Sequence, residues 1–296
     1  MADKKRALVT GLSGFTGHYV EAELKSAGYD VHGIDARAAE GKPRCHEVDL
    51  GDALKLQQVV SDIRPHVVVH LAAVAFVGHG DSNAFYHANL LGTRNLLAAL
   101  DALDVSPECV LLASSANVYG NTVGGVLDEE ARPNPANDYA VSKLAMEYMA
   151  GIWMNRLPIV ISRPFNYTGV GQSENFLIPK IVDHFDRRAE VIELGNLDVW
   201  RDFSDVRAVA EAYRRLIEVR PAGQIVNVCS GVTHSLREVI SMAEKLTGHQ
   251  IKVQVNPAFV RKNEVRSLCG DPARLRSLIG PWQTPAFEET LRWMLR

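Results

Sequence analysis

Arg6-Ala7-Leu8-Val9-Thr10-Gly11-Leu12-Ser13-Gly14-Phe15-Thr16-Gly17 is the stretch that decides the fold. Arg6 to Thr10 reads as a strand, and helical signals run from Gly17 to Ala27. The turn between them carries its glycines as Gly-x-x-Gly-x-x-Gly. A turn this tight needs residues without Cβ, so that backbone N–H groups can approach a diphosphate while the helix N-terminus offers it partial positive charge. The spacing is not the usual Gly-x-Gly-x-x-Gly, so the turn takes its meaning from the residues downstream of it. Asp35 closes the next strand, at the distance where a carboxylate binds the adenosine ribose hydroxyls of a dinucleotide. Arg37, two residues on, is placed to accept the extra phosphate of NADP, which Asp35 would repel. The pair favours NAD slightly and leaves NADP open. Asp49-Leu50 is placed to hold the adenine edge, and Asp49 serves equally well as a cap for the following helix.

Outward from the turn, short apolar runs alternate with longer helical segments. Strands are expected at Asp30–Ile34, Val67–Leu71, Cys109–Ala113 and Ile159–Ser162, and helices at Asp52–Ile63, Ser82–Leu103 and Tyr139–Arg156. Val67-Val68-Val69 and Val110-Leu111-Leu112 are apolar on both faces, as strands buried between two helix layers must be. This is the pattern of an α/β chain with a Rossmann-type doubly wound parallel sheet. After Arg163 prolines and glycines crowd in, and the expectation is longer loops, scarcer strands and a smaller mixed α/β C-terminal lobe for substrate. Ile225–Val228 is expected to return a strand to the main sheet. The domains are thus 1–165, with roughly 205–230 returning to it, for the dinucleotide, and 166–204 with 231–296 for the substrate lobe.

Composition bounds the partners. In 296 residues, 47% hydrophobic and 23% charged, 32 Lys+Arg face 35 Asp+Glu, so a nucleic-acid partner loses its electrostatic footprint. The longest apolar stretch, Val67 to Val77, is broken by His70 and falls short of the roughly 18 residues that span a bilayer, so no membrane role is expected. Lys4, Lys5 and Arg6 precede an apolar run that the glycines cut before a signal-peptide core can form, and the expected location is the cytoplasm. Cys45, Cys109, Cys229 and Cys269 lie singly and read as reduced thiols. The histidines show no metal-ligand spacing, so no metal is expected; His70 reads as a satisfied core residue, and His79 and His87 receive no role.

The chemistry concentrates in Tyr139-Ala140-Val141-Ser142-Lys143, with Ser114-Ser115 at a strand end upstream. Residues i and i+4 share a helix face, so Tyr139 and Lys143 project into the same space. An ammonium beside a phenol is expected to bring its pKa down toward working pH and make it a usable acid or base. Ser115 is placed to hydrogen-bond the reacting oxygen as charge develops on it.

With these residues in view, the chain resembles the extended short-chain dehydrogenase/reductases that act on nucleotide-diphosphate sugars. The likeness covers nearly the whole chain and rests on Thr10 to Gly17, His70-Leu71-Ala72-Ala73, Asn89-Leu90-Leu91-Gly92-Thr93, Ser114 to Gly120, Tyr139 to Lys143 and Arg163-Pro164-Phe165-Asn166. It implies Ser115, Tyr139 and Lys143 as catalytic residues. It implies a cofactor site, NAD or NADP, built from Gly11, Ser13, Gly14, Phe15, Thr16, Gly17, Asp35, Arg37, Asp49, Leu50, Leu71, Ala72, Ala73, Asn89, Tyr139, Lys143 and Phe165. Dehydratases of the family carry an acidic residue two places after the catalytic hydroxyl; the corresponding places here are Ala116 and Asn117, which argues against water elimination.

In the second half, Phe165 to Gln172, Phe176 to Lys180, Gly195-Asn196-Leu197 with Arg201-Asp202-Phe203, and Asn227 to Gly231 are similar to GDP-sugar enzymes. That similarity implies Arg201 and Arg261 on the diphosphate, Glu264 on the ribose, and Asn166, Asn175, Phe176, Lys180 and Asn196 lining the nucleotide-sugar pocket. The implied reaction is hydride transfer to the C4 ketone of a GDP-4-keto-6-deoxyhexose, giving a GDP-6-deoxyhexose such as GDP-rhamnose. A nucleotide-sugar 4-epimerase, encouraged by the small Ala116, and a non-catalytic dinucleotide-sensing protein stay open as alternatives. The two long helices resemble those that form a four-helix interface in the family, and imply a homodimer.

Overall fold

The computed structural model describes residues 4–37, 41, 44–75, 81–121, 125–259 and 265–295. The chain opens with β1 (Arg6–Thr10), α1 (Phe15–Ser26), β2 (Asp30–Asp35), β3 (Cys45–Glu47), α2 (Ala53–Ile63) and β4 (Val67–His70). It continues with α3 (Ser82–Tyr86), a π-helical stretch His87–Gly92, α4 (Thr93–Asp101), β5 (Cys109–Ala113), a 3-10 turn Ala116–Tyr119, β6 (Val126–Leu127), α5 (Asp138–Gly151) and β7 (Ile159–Pro164). Next come β8 (Asn166–Thr168), α6 (Leu177–Asp186), β9 (Val191–Leu194), β10 (Trp200–Asp205), α7 (Val206–Val219) and β11 (Ile225–Val228). The chain finishes with β12 (Thr233–Ser235), α8 (Leu236–Thr247), β13 (Lys252–Val255), β14 (Ser267–Gly270), α9 (Ala273–Ile279) and α10 (Phe287–Met294).

The seven-stranded central sheet runs β11-β7-β5-β4-β1-β2-β3, parallel throughout. Strand order reverses beside β1, and open α/β sheets bind ligands outside the carboxyl ends of the strands at such a point. The doubly apolar strands explain the two helix layers. Ala7 and Val9 of β1 pack with Val20, Leu24 and Leu216 on one face, while Leu8 between them packs with Leu56, Leu96 and Leu100 on the other. All are buried, and each such side chain contributes about 1.5–3 kcal/mol of transfer free energy. β11 pairs with β7 from Ile225 opposite Ile161 to Val228 opposite Pro164, so the expected returning strand is present.

Three sequence expectations need correction. Ser82–Leu103 is not one α-helix: a π-helical stretch interrupts it and turns both Asn89 and Gly92 inward. A Cβ on Gly92 would come within 2.9 Å of the Leu50 Cβ, which is why a glycine stands there. The helix starting near Tyr139 ends at Gly151, well short of Arg156: from Ile152 to Met154 the N–H groups bond carbonyls three residues back, so the chain tightens into turns before Pro158. Strands do not thin out after Arg163: among the described residues β8 to β14 equal β1 to β7 in number. Most span only three or four residues, too short for alternation to register. β8, β10, β12 and β14 form a second sheet with β6, in the order β12-β10-β14-β6 with β8 on β10; β9 and β13 pair separately, and β11 joins the central sheet. Ile178, Phe185, Ile192, Phe203 and Leu236 form the core beneath them.

Candidate functional site

Gly11 leaves β1 at φ +74°, where a Cβ would sit 2.9 Å from the Ala72 nitrogen; a Cβ on Gly17 would lie 2.2 Å from the Gly11 oxygen. The turn therefore brings bare backbone against the segment after β4. No side chain caps α1 at Gly14, so its first N–H groups keep their donor capacity and the positive helix end faces outward. Asp35 lies against this turn: its Oδ2 accepts from the Ser13 N–H (3.0 Å) and the Cys45 thiol (3.0 Å). Arg37 is exposed beside it. Asp49 folds back on the Gly51 N–H (2.8 Å), and the cap of α2 is Asp52, not Asp49, since Asp52 accepts from the Lys55 N–H. Leu50 is buried against Gly92.

A hydrogen-bond chain orders the carboxyl ends of β1 and β4. The Thr93 hydroxyl donates to the Asn89 carbonyl (2.7 Å), so it accepts from His70 Nε2 (2.8 Å). His70 Nδ1 then accepts from the Thr10 hydroxyl (2.7 Å), which in turn accepts from the Ala72 N–H (3.2 Å). Burial pushes His70 down to about 3, with the Lys143 charge adding to the effect, so it stays neutral and locks this tautomer. The Asn89 side chain clamps both polar groups of the Val74 backbone and donates to Ser142 (3.0 Å). Leu71 to Ala73 are thereby fixed between the glycine turn and α5.

Ser115 ends the segment after β5 and caps the 3-10 turn, accepting from the Asn117 N–H (3.2 Å). Tyr139 lies in the first turn of α5, whose cap Asn137 accepts from the Ala140 N–H (2.9 Å). The Ser115 hydroxyl lies near enough to the Tyr139 phenol to act on its pKa, and Lys143 Nζ donates to the Ala113 carbonyl (2.7 Å). The expectation that Lys143 depresses Tyr139 is overturned here: burial pushes the phenol up to about 12, opposed by the Ser115 hydrogen bond. Burial brings Lys143 down to about 8, and the Glu147 carboxylate resists that fall.

Sequence reasoning missed three residues of this region. Glu147 and Arg163 form a buried ion pair, Nη2 to Oε2 at 2.6 Å, and Arg163 also donates to the Tyr119 hydroxyl (3.0 Å). Glu147 stands four residues after Lys143 on the same helix face, and that spacing was the available signal. Tyr167 bonds Thr16 of α1 (2.8 Å) and stacks on Phe15, joining the second lobe to the glycine turn; it lies in the Phe165 to Gln172 stretch, where sequence reasoning assigned it no role of its own.

The remaining candidates are more dispersed. Phe165 is buried against Tyr119 and Gly270 in the core. Asn166 is exposed on β8, and Phe176 caps α6 half-buried. Asn175 and Lys180 do share an open pocket of about 410 Å³ with Glu174, Asp183, His184 and Arg187. Lys180 Nζ meets the Glu193 carbonyl (2.8 Å) above the Phe259 ring. Asn196 accepts from the Asp198 N–H (2.9 Å), and Arg201 reaches the Trp200 carbonyl (2.9 Å). Arg261, Glu264 and His79 lie outside the described residues. Among the described residues no three His, Cys, Asp or Glu side chains could hold a metal ion, and no helix is long and apolar enough to cross a membrane.

Comparison with known proteins now bears on this geometry. The family model described as GDP-mannose 4,6 dehydratase matches residues 8–294. Over 98% of the chain and 96% of its own length, the GDP-6-deoxy-D-mannose reductase of Pseudomonas aeruginosa is 35% identical. The GDP-6-deoxy-D-talose 4-dehydrogenase of Aggregatibacter actinomycetemcomitans is 34% identical over 93% of the chain and 91% of its own. A solved structure of RMD from Pseudomonas aeruginosa complexed with NADPH superposes with a TM-score of 0.85 at 34% identity, covering 99% of this chain and 96% of that one. A Burkholderia cenocepacia J2315 structure, described provisionally as an epimerase, superposes with a TM-score of 0.91 at 53% identity, covering 98% and 97%.

Proposed function

The chain belongs to the GDP-mannose 4,6-dehydratase family of extended short-chain dehydrogenase/reductases, and on that premise we propose that it is an NAD(P)-dependent reductase of the C4 ketone of a GDP-4-keto-6-deoxyhexose. The observation that carries the reading is the meeting of Ser115, Tyr139 and Lys143 beside two positions, Ala116 and Asn117, that cannot serve as the acid or base of a dehydratase.

The residues present suit a dinucleotide. A Cβ would fill the cradle at Gly11 and Gly17, the uncapped α1 offers donors to a diphosphate, and Asp35 is pinned at the end of β2 for ribose hydroxyls. When bound, the reduced nicotinamide supplies the hydride. Tyr139 donates its phenolic proton to the C4 oxygen, and Ser115 hydrogen-bonds the same oxygen as charge grows on it. Lys143, one helical turn along α5 from Tyr139, is read as holding the nicotinamide ribose and as the positive charge of the site. Asp35 favours NAD, with Arg37 alongside to accept NADP; the NADPH complex of the Pseudomonas aeruginosa RMD supports keeping both. Arg201 and Arg261 are read as diphosphate contacts, Glu264 as the ribose contact, and Asn166, Asn175, Phe176, Lys180 and Asn196 as the nucleotide-sugar lining.

Residues 1–165 with about 205–230 are read as the dinucleotide domain, supported by the β7–β11 pairing, and the rest as the substrate lobe. The enzyme works as a homodimer in the cytoplasm; supporting the dimer, Val141, Tyr148 and Ile152 form an exposed stripe along α5 and its end. Incubation with GDP-4-keto-6-deoxymannose and NADH or NADPH, followed by nicotinamide absorbance and NMR of the product, tests the activity. Stoichiometric oxidation of the nicotinamide is expected, with the product's C4 configuration separating the mannose-type from the talose-type outcome. Interconversion of 4-epimers without net oxidation would establish the epimerase reading that the Burkholderia cenocepacia structure and the small Ala116 favour.

A further inference from the structure

The catalytic serine is gripped on both flanks by one buried ion pair. On its N-terminal side, the Ser114 hydroxyl donates to Glu147 Oε1 (2.5 Å). On its C-terminal side, the 3-10 turn that Ser115 starts ends in Tyr119, whose hydroxyl accepts from Arg163 Nη1 (3.0 Å) and whose ring lies under the guanidinium at 4.9 Å. Glu147 and Arg163 join through two hydrogen bonds, Nε to Oε1 (3.0 Å) and Nη2 to Oε2 (2.6 Å), with side chains 5% and 4% exposed. Tyr119 donates onward to Asn227 Oδ1 (2.8 Å), so β11 is tied to the same network. Glu147 also lies one helical turn beyond Lys143 on α5, while Arg163 stands on β7, which flanks β5 in the sheet. The pair thus joins the strand end that carries Ser115, the helix that carries Tyr139 and Lys143, and the strand between them and β11.

We propose that the Glu147–Arg163 ion pair is the positioning device of the catalytic site, setting Ser115 from both flanks and holding the charge of Lys143 from beneath. A buried pair of this kind is weak ground for stability, since desolvation offsets most of its attraction. What it supplies is geometry, because a bidentate fork fixes both orientation and distance.

The groups that face Lys143 are few. His70 of β4 stays neutral between Thr10 and Thr93, and Tyr139 of α5 is held protonated by burial. Glu147 is therefore the anion that sustains the ammonium, with Arg163 balancing Glu147 from the far side.

The proposal rests on the reductase reading, and the test separates the two. Glu147→Gln keeps most of the hydrogen bonds and removes the charge. Its basic limb for kcat should move to lower pH by about one unit, turnover of GDP-4-keto-6-deoxymannose should fall roughly tenfold or more, and dinucleotide binding followed by nicotinamide fluorescence should change little. Glu147→Asp should restore part of the pH shift. The titration of Lys143 is also read without substrate, from the chain labelled with 13Cε-lysine and assigned by Lys143→Arg. A wild type inactive on the ketosugar but with a Lys143 titration that shifts in Glu147→Gln would overturn the reductase reading alone. An unshifted titration and unshifted basic limb in a folded Glu147→Gln would overturn the positioning role. Should Glu147→Gln not fold, Ser114→Ala decides, because it leaves the ion pair whole and releases only the serine strand. Undiminished kcat in that variant would sink the proposal; a several-fold loss at constant cofactor affinity supports it.

Discussion

Replacing Lys143 by Met should stabilise the protein near neutral pH while destroying its activity. Lys143 is 4% exposed, and burial lowers it from 10.5 to about 8 in the folded chain. The sign follows from linkage. Below pH 8 both folded and unfolded chains carry the proton, and the folded chain bears the whole cost of a buried ammonium, about 3 kcal/mol from the two pKa values. Between pH 8 and 10.5 the unfolded chain binds more protons, so stability rises with pH; from pH 7 to pH 9 this group alone returns about 1 kcal/mol. Met removes the cost, fits a similar volume and gives up the hydrogen bond to the Ala113 carbonyl, worth about 1 kcal/mol net. The variant should therefore exceed wild type by about 2 kcal/mol at pH 7, and its advantage should shrink by about 1 kcal/mol at pH 9. Urea unfolding of both proteins at the two pH values measures the differences, with other titrating groups cancelling between them. An advantage absent at pH 7, or one independent of pH, refutes the reasoning that a charged Lys143 is kept in the core for chemistry at the expense of stability.

Tyr139→Phe keeps the ring among its neighbours and removes the proton; turnover should drop by roughly 10²–10⁴ with dinucleotide affinity nearly intact, and a near-native rate in the absorbance assay would discard Tyr139 as the acid. Asp35→Ala should move the NADH to NADPH preference in kcat/KM toward NADPH, because the carboxylate that repels a 2′-phosphate is gone; an unchanged ratio would put the ribose site elsewhere. Gly11→Ala, at φ +74° with its Cβ 2.9 Å from the Ala72 nitrogen, should weaken dinucleotide binding roughly tenfold or more by fluorescence titration. Tyr148→Glu places a charge on the exposed stripe of α5 and should turn a dimer into a monomer by light scattering, leaving the circular dichroism spectrum unchanged.

The fold was legible where each strand had enough length to show its character. Val67-Val68-Val69 and Val110-Leu111-Leu112 declared two-sided burial, and both lie in the middle of the central sheet. Cys109–Ala113 and Ile225–Val228 have the expected bounds. What escaped is what periodicity cannot encode. At the π-helical turn Gly92 comes up against Leu50, a residue far away in sequence. The three-residue strands β8 and β12 draw their identity from pairing with β10, not from their own composition.

The site divides along the same physical line. Gly11 with Gly17 and Tyr139 with Lys143 could be proposed from the sequence because each pair is set by spacing within one turn or one helix, and Ser115 because it follows a strand end. Asp49 misled as a cap because Asp52, three residues later, offers the helix the same carboxylate at the right height. The pKa of Tyr139 misled for a deeper reason: an i,i+4 lysine lowers a phenol only if the phenol is wet enough for charge to outweigh desolvation, and Tyr139 is 8% exposed. Glu147 and Arg163 lie sixteen residues apart, on a helix and a strand, and nothing local tells either that the other completes it. Yet their burial is informative once seen. A carboxylate and a guanidinium this deep stay only where desolvation is balanced by specific hydrogen bonds, and here the carboxylate bonds Ser114, the residue beside Ser115, while the guanidinium bonds Tyr119 at the end of the turn that Ser115 begins. Burial of charge is not confined to this place, since Asp202 and Asp205 of β10 are as deeply buried and are held by Ser230 and Gly231 and by Arg207 and Thr290; what sets Lys143, Glu147 and Arg163 apart is that they lie together on α5 and β7, with Ser114 and Tyr119 bonded to the pair on either side of Ser115.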